Sequence, residues 1–243
     1  MMNGNGNKII KGLKLMKYSL AFRMNIVLMI VFTVAGLVYE VTTVFSQMGG
    51  DRSHGITNYN GIWMLAISPI YATQLMYGLS LSGVIQSSSA KKSLLVYSAA
   101  GYKAVTEIIC FAILAVTRYL CCRLSGTYSG DILFGLIFYG LFSMLLSLYT
   151  IVIYRYTTLG YVVMLPIIIA CMLIPIFLNR NAANFSPISL MNRLPFGESY
   201  VGSLAVGAAI VVIDIVLFYI LSNLLYKVPL SEKAFRQLLS RSK

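Results

Sequence analysis

Six stretches of this sequence run for about twenty residues each with almost no charge, at roughly 25–47, 61–85, 104–124, 131–154, 159–178 and 203–226. About 20 apolar residues in a helix cover the ~30 Å of hydrocarbon in a bilayer. Inside lipid a backbone must satisfy its own hydrogen bonds, so each run is predicted to be a helix. The runs are continuous and lack the alternation of barrel strands. The expected fold class is therefore all-α, an integral membrane bundle of six transmembrane helices occupying 25–226.

Composition agrees with lipid as the solvent. Apolar residues make up 58% of the 243 and charged residues only 11%, against about 45–50% and about 25% in a soluble domain. Too few polar residues remain to cover a water-facing surface. The formal net charge of +12 does not indicate nucleic acid, because the cations sit in short flanks of the apolar runs, where they set topology and meet anionic lipid.

The placement of those cations orients the bundle. With six spans, one side holds 1–24, 86–103, 155–158 and 227–243, carrying fourteen Lys and Arg residues that include Lys91, Lys92, Lys103 and Arg155. The other side holds Arg52, Arg123, Arg180 and Arg193, and Arg118 falls within a span. Such a bias puts both termini in the cytoplasm. The basic region before the first run reaches Arg23, with no A-x-A-like cleavage site after that run. It is read as an uncleaved first span and not as a signal peptide.

Segments between the spans carry further information. Over 8–24, Ile9, Leu13, Met16, Leu20 and Met24 fall on one helical stripe, with Lys8, Lys11, Lys14 and Lys17 fanned opposite. This pattern predicts an N-terminal amphipathic helix over 1–24 lying in the headgroup plane; an ordinary basic flank is the plainer reading. The stretch at about 87–100 is longer than a hairpin needs. Its serine run, with Ser88 and Ser89, can cap a short helix carrying Lys91, Lys92, Leu94 and Leu95. Two readings are open: a helix at the membrane face touching a cytoplasmic partner, or an extension of the neighbouring spans. Residues 179–202 contain Pro187 and Pro195 among apolar residues, which predicts short re-entrant-like pieces at the outer face. The tail 227–243 offers a short surface helix or a frayed end. Pro69, Pro166 and Pro175 lie inside spans, where proline kinks a helix.

The polar inventory excludes most chemistry. The one histidine, His54, stands in a predicted external loop, so no span offers a Ser–His pair. No GxxxxGK[ST] phosphate loop and no paired Asn-Pro-Ala channel motif occurs. Cys110, Cys121, Cys122 and Cys171 fall in apolar runs without zinc-site spacing and read as small core hydrophobes. The chain is expected to be no enzyme and to need no metal or cofactor. Ionisable groups inside a membrane are costly and so draw attention. Four are predicted: Glu40, Glu107, Arg118 and Asp214. Glu40 and Arg118 lie at matching depths and can pair. The set reads either as a polar path or a proton site, or as one structural ion pair plus carboxylates facing a polar seam of the bundle.

The layout, together with Gly83-Val-Ile-Gln-Ser-Ser-Ser-Ala-Lys-Lys-Ser-Leu-Leu after span two and Ser186-Pro-Ile-Ser-Leu with Leu194-Pro-Phe-Gly before span six, resembles the ABC-2-type permease family. That resemblance covers essentially the whole chain and rests mostly on architecture. It implies a permease without its own ATPase domain, paired with a second permease, identical or homologous. It also implies a separate ATP-binding cassette ATPase docked on the helix after span two, through Ser88, Ser89, Lys91, Lys92, Leu94 and Leu95. The implied activity is export through a path between the two permeases in the bacterial cytoplasmic membrane. A compact permease of this kind looks most like exporters of amphipathic peptides, antimicrobials or small drugs. The competing classes are a membrane assembly or accessory protein with no transport path, and a small secondary carrier.

Overall fold

The computed structural model describes residues 22–48, 59–80, 89, 91–125, 130–180, 199–228 and 231. The expected amphipathic helix before Phe22, nearly all of the external segment 179–202 and most of the tail lie outside these residues. The described chain is helical. Helix α1 is Phe22–Met48 and α2 is Tyr59–Ser80. Helix α3 opens at 91–92, turns π-helical over Ser93–Ser98 and continues as Ala99–Ser125. Helix α4 is Gly130–Arg155. Helix α5 comprises Thr157–Leu159, a π-helical stretch Gly160–Met164 and Leu165–Arg180. Helix α6 is Tyr200–Leu225.

Four of these helices are long and apolar enough to cross a membrane: Phe22–Phe45, Ser93–Leu124, Phe134–Arg155 and Tyr200–Leu225. The chain is a membrane protein. Thr157–Leu173 is a shorter apolar helix. Helix α2, 22 residues long, is the instructive case. It packs against α1, α3 and α4, with Ile62, Leu65, Ala66, Leu75 and Met76 buried. A helix sheathed by other helices need not be lipid-compatible on every face. It therefore accommodates Ser68, Thr73 and Gln74, which lower its hydropathy. At the other extreme, only 17% of the apolar window of α1 is buried, and Val27, Ile30, Val31 and Val34 face outward. In lipid such a face is an ordinary surface.

Small residues let the helices approach closely, as expected where packing and not hydrophobicity drives association. A Cβ on Gly36 of α1 would stand 2.7 Å from Leu65 Cγ, and one on Gly140 of α4 would stand 2.6 Å from Ile210 Cγ2 of α6. Hydroxyl bridges add direction: Thr33 and Ser68 are joined at 2.7 Å across α1 and α2. In α5 the π-helical stretch has a covalent cause. Pro166 has no N–H to give the carbonyl four residues back, and the Leu165 N–H just before it reaches Gly160 O, five residues back.

One end of the bundle collects basic residues. The ring of Tyr226 receives Lys92 Nζ at 5.2 Å. Arg155 Nε donates to Leu225 O at 2.9 Å, capping the last turn of α6 where the helix dipole favours a cation. Phe22 and Ile26 pack into the same end, so Arg23, Lys91, Lys92, Arg155 and Lys227 share it.

Two apolar cores lie along the bundle. The core nearer the basic end holds Leu75, Met76, Tyr77, Leu95, Ala99, Ile151, Tyr154 and Phe218. The core farther from it holds Ile62, Leu65, Phe111, Leu114, Leu136, Tyr139, Phe142 and Val211. On α3 the first core ends at Ala100 and the second begins at Cys110. What lies between them is polar.

Candidate functional site: two buried charge clusters

The polar layer is built by three helices. From α3, Lys103 and Glu107 project one turn apart, the i,i+4 spacing that brings two side chains together on a helix face. Their side chains are paired. From α6, Asp214 Oδ2 lies 2.9 Å from the same Lys103 Nζ. From α4, Ser143 and Ser147 repeat the one-turn spacing. Ser143 Oγ donates to Glu107 Oε1 at 2.9 Å. Ser147 Oγ lies 3.2 Å from Asp214 Oδ2 and 2.8 Å from Ser143 O, so its single proton is divided between them. Tyr139 Oη donates to the backbone carbonyl of Glu107 at 3.2 Å, and the Phe218 ring lies 5.4 Å from Lys103 Nζ. Lys103 is 2% exposed, and Glu107 and Asp214 are 0% exposed. Asp214 Oδ1 has no hydrogen-bond partner.

The second cluster lies farther from the basic end. Arg118 Nη2 of α3 donates to Glu40 Oε1 of α1 at 3.0 Å, and Thr117 Oγ1 lies 3.3 Å from Glu40 Oε2. Arg118 is the largest fully buried side chain described. Gly61 of α2 makes room for the pair, since a Cβ there would collide with Glu40 Oε1. The four intramembrane charges expected from the sequence thus divide two and two. Glu40 and Arg118 come together. Glu107 and Asp214 meet elsewhere, on a lysine that the sequence reading assigned to the cytoplasmic flank.

Lys103 is the residue that reading missed. With α3 starting near Lys91 and not at 104, Lys103 lies inside the apolar helix Ser93–Leu124. Glu107 likewise moves from the first turn of the span to near its middle. A signal was available: lysine and glutamate four residues apart on α3, facing serines four apart on α4.

The residues expected to contact an ATPase are placed unevenly. Ser88 lies outside the described residues, and Ser89 is an exposed turn residue. Lys91 and Lys92 are half-buried at the head of α3. Leu94 and Leu95 are 3% and 1% exposed and belong to the interior of the bundle, where Leu95 joins the core near the basic end. They are not free to fill a partner's pocket. The reason is the register of the π-helical turn, which runs unbroken into Ala99–Ser125 and turns these leucines inward. The segment is an extension of the apolar helix α3 and not a separate helix.

Of the cysteines, Cys110 and Cys121 are buried, and Cys122 and Cys171 are half-buried. Among the described residues no three His, Cys, Asp or Glu side chains gather as a metal site would require. Compared with protein-family models, curated proteins and solved structures, the chain matches none of them.

Proposed function

We propose that this chain is the membrane-spanning permease subunit of an ATP-driven exporter of the ABC-2 type. In this reading all six helical rods cross the bacterial cytoplasmic membrane, with the basic end and both termini in the cytoplasm. A second permease completes the substrate path, a separate ATP-binding cassette ATPase drives it, and the cargo is an amphipathic peptide, an antimicrobial or a drug-like molecule.

The observation that carries the reading is the course of α3. This helix begins at the basic end with Lys91 and Lys92, passes Lys103 and Glu107 in the polar layer, and continues to Arg118. Whatever moves its first turn therefore moves both buried charge clusters. Nucleotide-driven closure of a partner is the kind of force such a rod transmits. With Leu94 and Leu95 committed to the core, the contact to the ATPase falls to Ser89, Lys91 and Lys92.

The test is co-purification of the detergent-solubilised chain with its ATPase, followed by substrate-stimulated hydrolysis in reconstituted vesicles. Lys91→Glu with Lys92→Glu is expected to weaken the association and its electrostatic on-rate while leaving the bundle folded. If no ATPase accompanies the wild-type chain, the reading yields to an accessory protein or a small secondary carrier.

A further inference from the structure

The two buried clusters differ in one respect. Glu40 and Arg118 sum to zero. Lys103, Glu107 and Asp214 sum to minus one if all three are ionised. An uncompensated charge in a low-dielectric interior is strongly unfavourable and is normally removed by neutralisation. The question is what neutralises it.

Among the described residues, nothing nearby does. The described groups facing the cluster are Tyr139, Ser143, Ser147 and Thr150 from α4, Thr73 from α2 and Cys110 from α3; none is a cation. Arg118 is eleven residues along α3 from Glu107, about 16 Å at the helical rise, and is paired with Glu40. Arg155 holds the last turn of α6, at Leu225, eleven residues and about 16 Å from Asp214. Among the described residues no three His, Cys, Asp or Glu side chains gather there to hold a metal ion. The crevice beside the cluster, lined by Pro69, Thr73, Lys103, Ser143, Ser147 and Phe218, is too narrow for a water-sized sphere. Apolar cores close the layer on both sides.

A proton fits. Both carboxylates rest on one ammonium nitrogen, the arrangement in which two acids share a site and one retains its proton. The oxygens also distinguish themselves. Glu107 uses both of its oxygens as acceptors, whereas Asp214 uses Oδ2 and leaves Oδ1 bare.

We infer that the Lys103–Glu107–Asp214 cluster is a proton-binding site in the membrane interior, holding one exchangeable proton on its carboxylate pair. Binding takes one proton from water, breaks no covalent bond and brings the cluster from minus one to zero. The proton belongs to the pair and not to either residue alone. Because Asp214 is on α6 and Glu107 on α3, its release sets two like charges against each other across the α3–α6 contact. Proton occupancy is therefore tied to how closely these helices pack. The inference stands on the cluster alone and does not depend on the ATPase reading.

The experiment is infrared spectroscopy of the full-length purified chain at neutral pH, reading the carbonyl stretch of protonated carboxyl groups. Wild type is expected to show a buried protonated carboxyl that Asp214→Asn and Glu107→Gln each abolish, since either change leaves one carboxylate balanced by Lys103. A wild-type spectrum without such a band, or a band that survives both substitutions, overturns the inference. If either variant misfolds, the pH dependence of wild-type stability decides. A folded state holding one proton that the unfolded chain has lost weakens its folding equilibrium up to tenfold for each unit that pH rises above neutrality. A flat profile there overturns the inference as well.

Discussion

Arg118 Nη2 stands 3.0 Å from Glu40 Oε1, joining α3 to α1 across 78 positions of sequence with both side chains fully enclosed. Such a pair is weak evidence of net stabilisation, because desolvating two ions offsets much of their attraction. Its value appears when one partner is removed. Glu40→Gln leaves a guanidinium in the interior with its counter-ion gone, and Arg118→Gln does the converse. Each is expected to destabilise the folded chain by about 3–5 kcal/mol. The double substitution should recover part of that loss, and thermal unfolding in detergent measures all four corners of the cycle. Strictly additive losses would show that the two residues do not interact.

Leu95 offers a sharper discrimination. On sequence alone it reads as an anchor for a cytoplasmic partner, and Leu95→Asp would then uncouple the complex without harming the fold. In the structure Leu95 is 1% exposed and packs among Leu75, Met76, Tyr77 and Phe218. An aspartate there is a buried unpaired charge, among the costliest of single changes. Leu95→Asp is expected to unfold the basic end of the bundle, seen as loss of monodisperse protein on size exclusion. Recovery of a folded, monodisperse variant would return Leu95 to the surface and restore it as a docking residue.

The placement of the basic residues predicts sidedness. If positive charges mark the cytoplasm, a cysteine introduced at Thr127 in a cysteine-free background should react with an impermeant thiol reagent applied outside intact cells. Cysteines at Ser89 and Ser242 should react only after the membrane is opened. Labelling of Ser242 from outside would reverse the topology and remove any ATPase contact at Lys91 and Lys92.

How far the sequence carries the fold can be traced through particular helices. The Glu40–Arg118 pairing is legible because both residues lie deep in apolar runs at depths that match, and depth is what hydropathy reports. Lys103 is illegible to the same measure. A lysine just before an apolar run looks like the end of a loop, and only the π-helical continuation from Ser93 puts it inside a span. The lower hydropathy of α2 marks it as less exposed to lipid, but which helices cover it, α1, α3 and α4, emerges only from packing. The inward turn of Leu94 and Leu95 is hidden for a related reason. Their periodicity fixes a stripe, but which neighbour covers that stripe depends on how α2, α4 and α6 are arranged.

Lys103 itself provides the last prediction. It is the one cation of the inner cluster, so replacing it with methionine leaves Glu107 and Asp214 with no counter-ion. The cluster then reaches neutrality only if both carboxylates are protonated. At neutral pH the folded variant would hold two protons that the unfolded chain does not, against one for wild type. The sign follows from linkage: stability falls as pH rises wherever the native state binds more protons than the unfolded state. For one proton the limiting slope is about 1.4 kcal/mol per pH unit. Lys103→Met should therefore be less stable than wild type at neutral pH and lose stability up to about twice as steeply above it. Adding Glu107→Gln and Asp214→Asn to Lys103→Met removes every ionisable group of the cluster and should flatten the profile. Thermal unfolding from neutral to mildly alkaline pH reads all three. Equal slopes in wild type, single and triple variants would mean that the carboxylates hold no proton in the folded state, and that the surplus negative charge is met by some other ion.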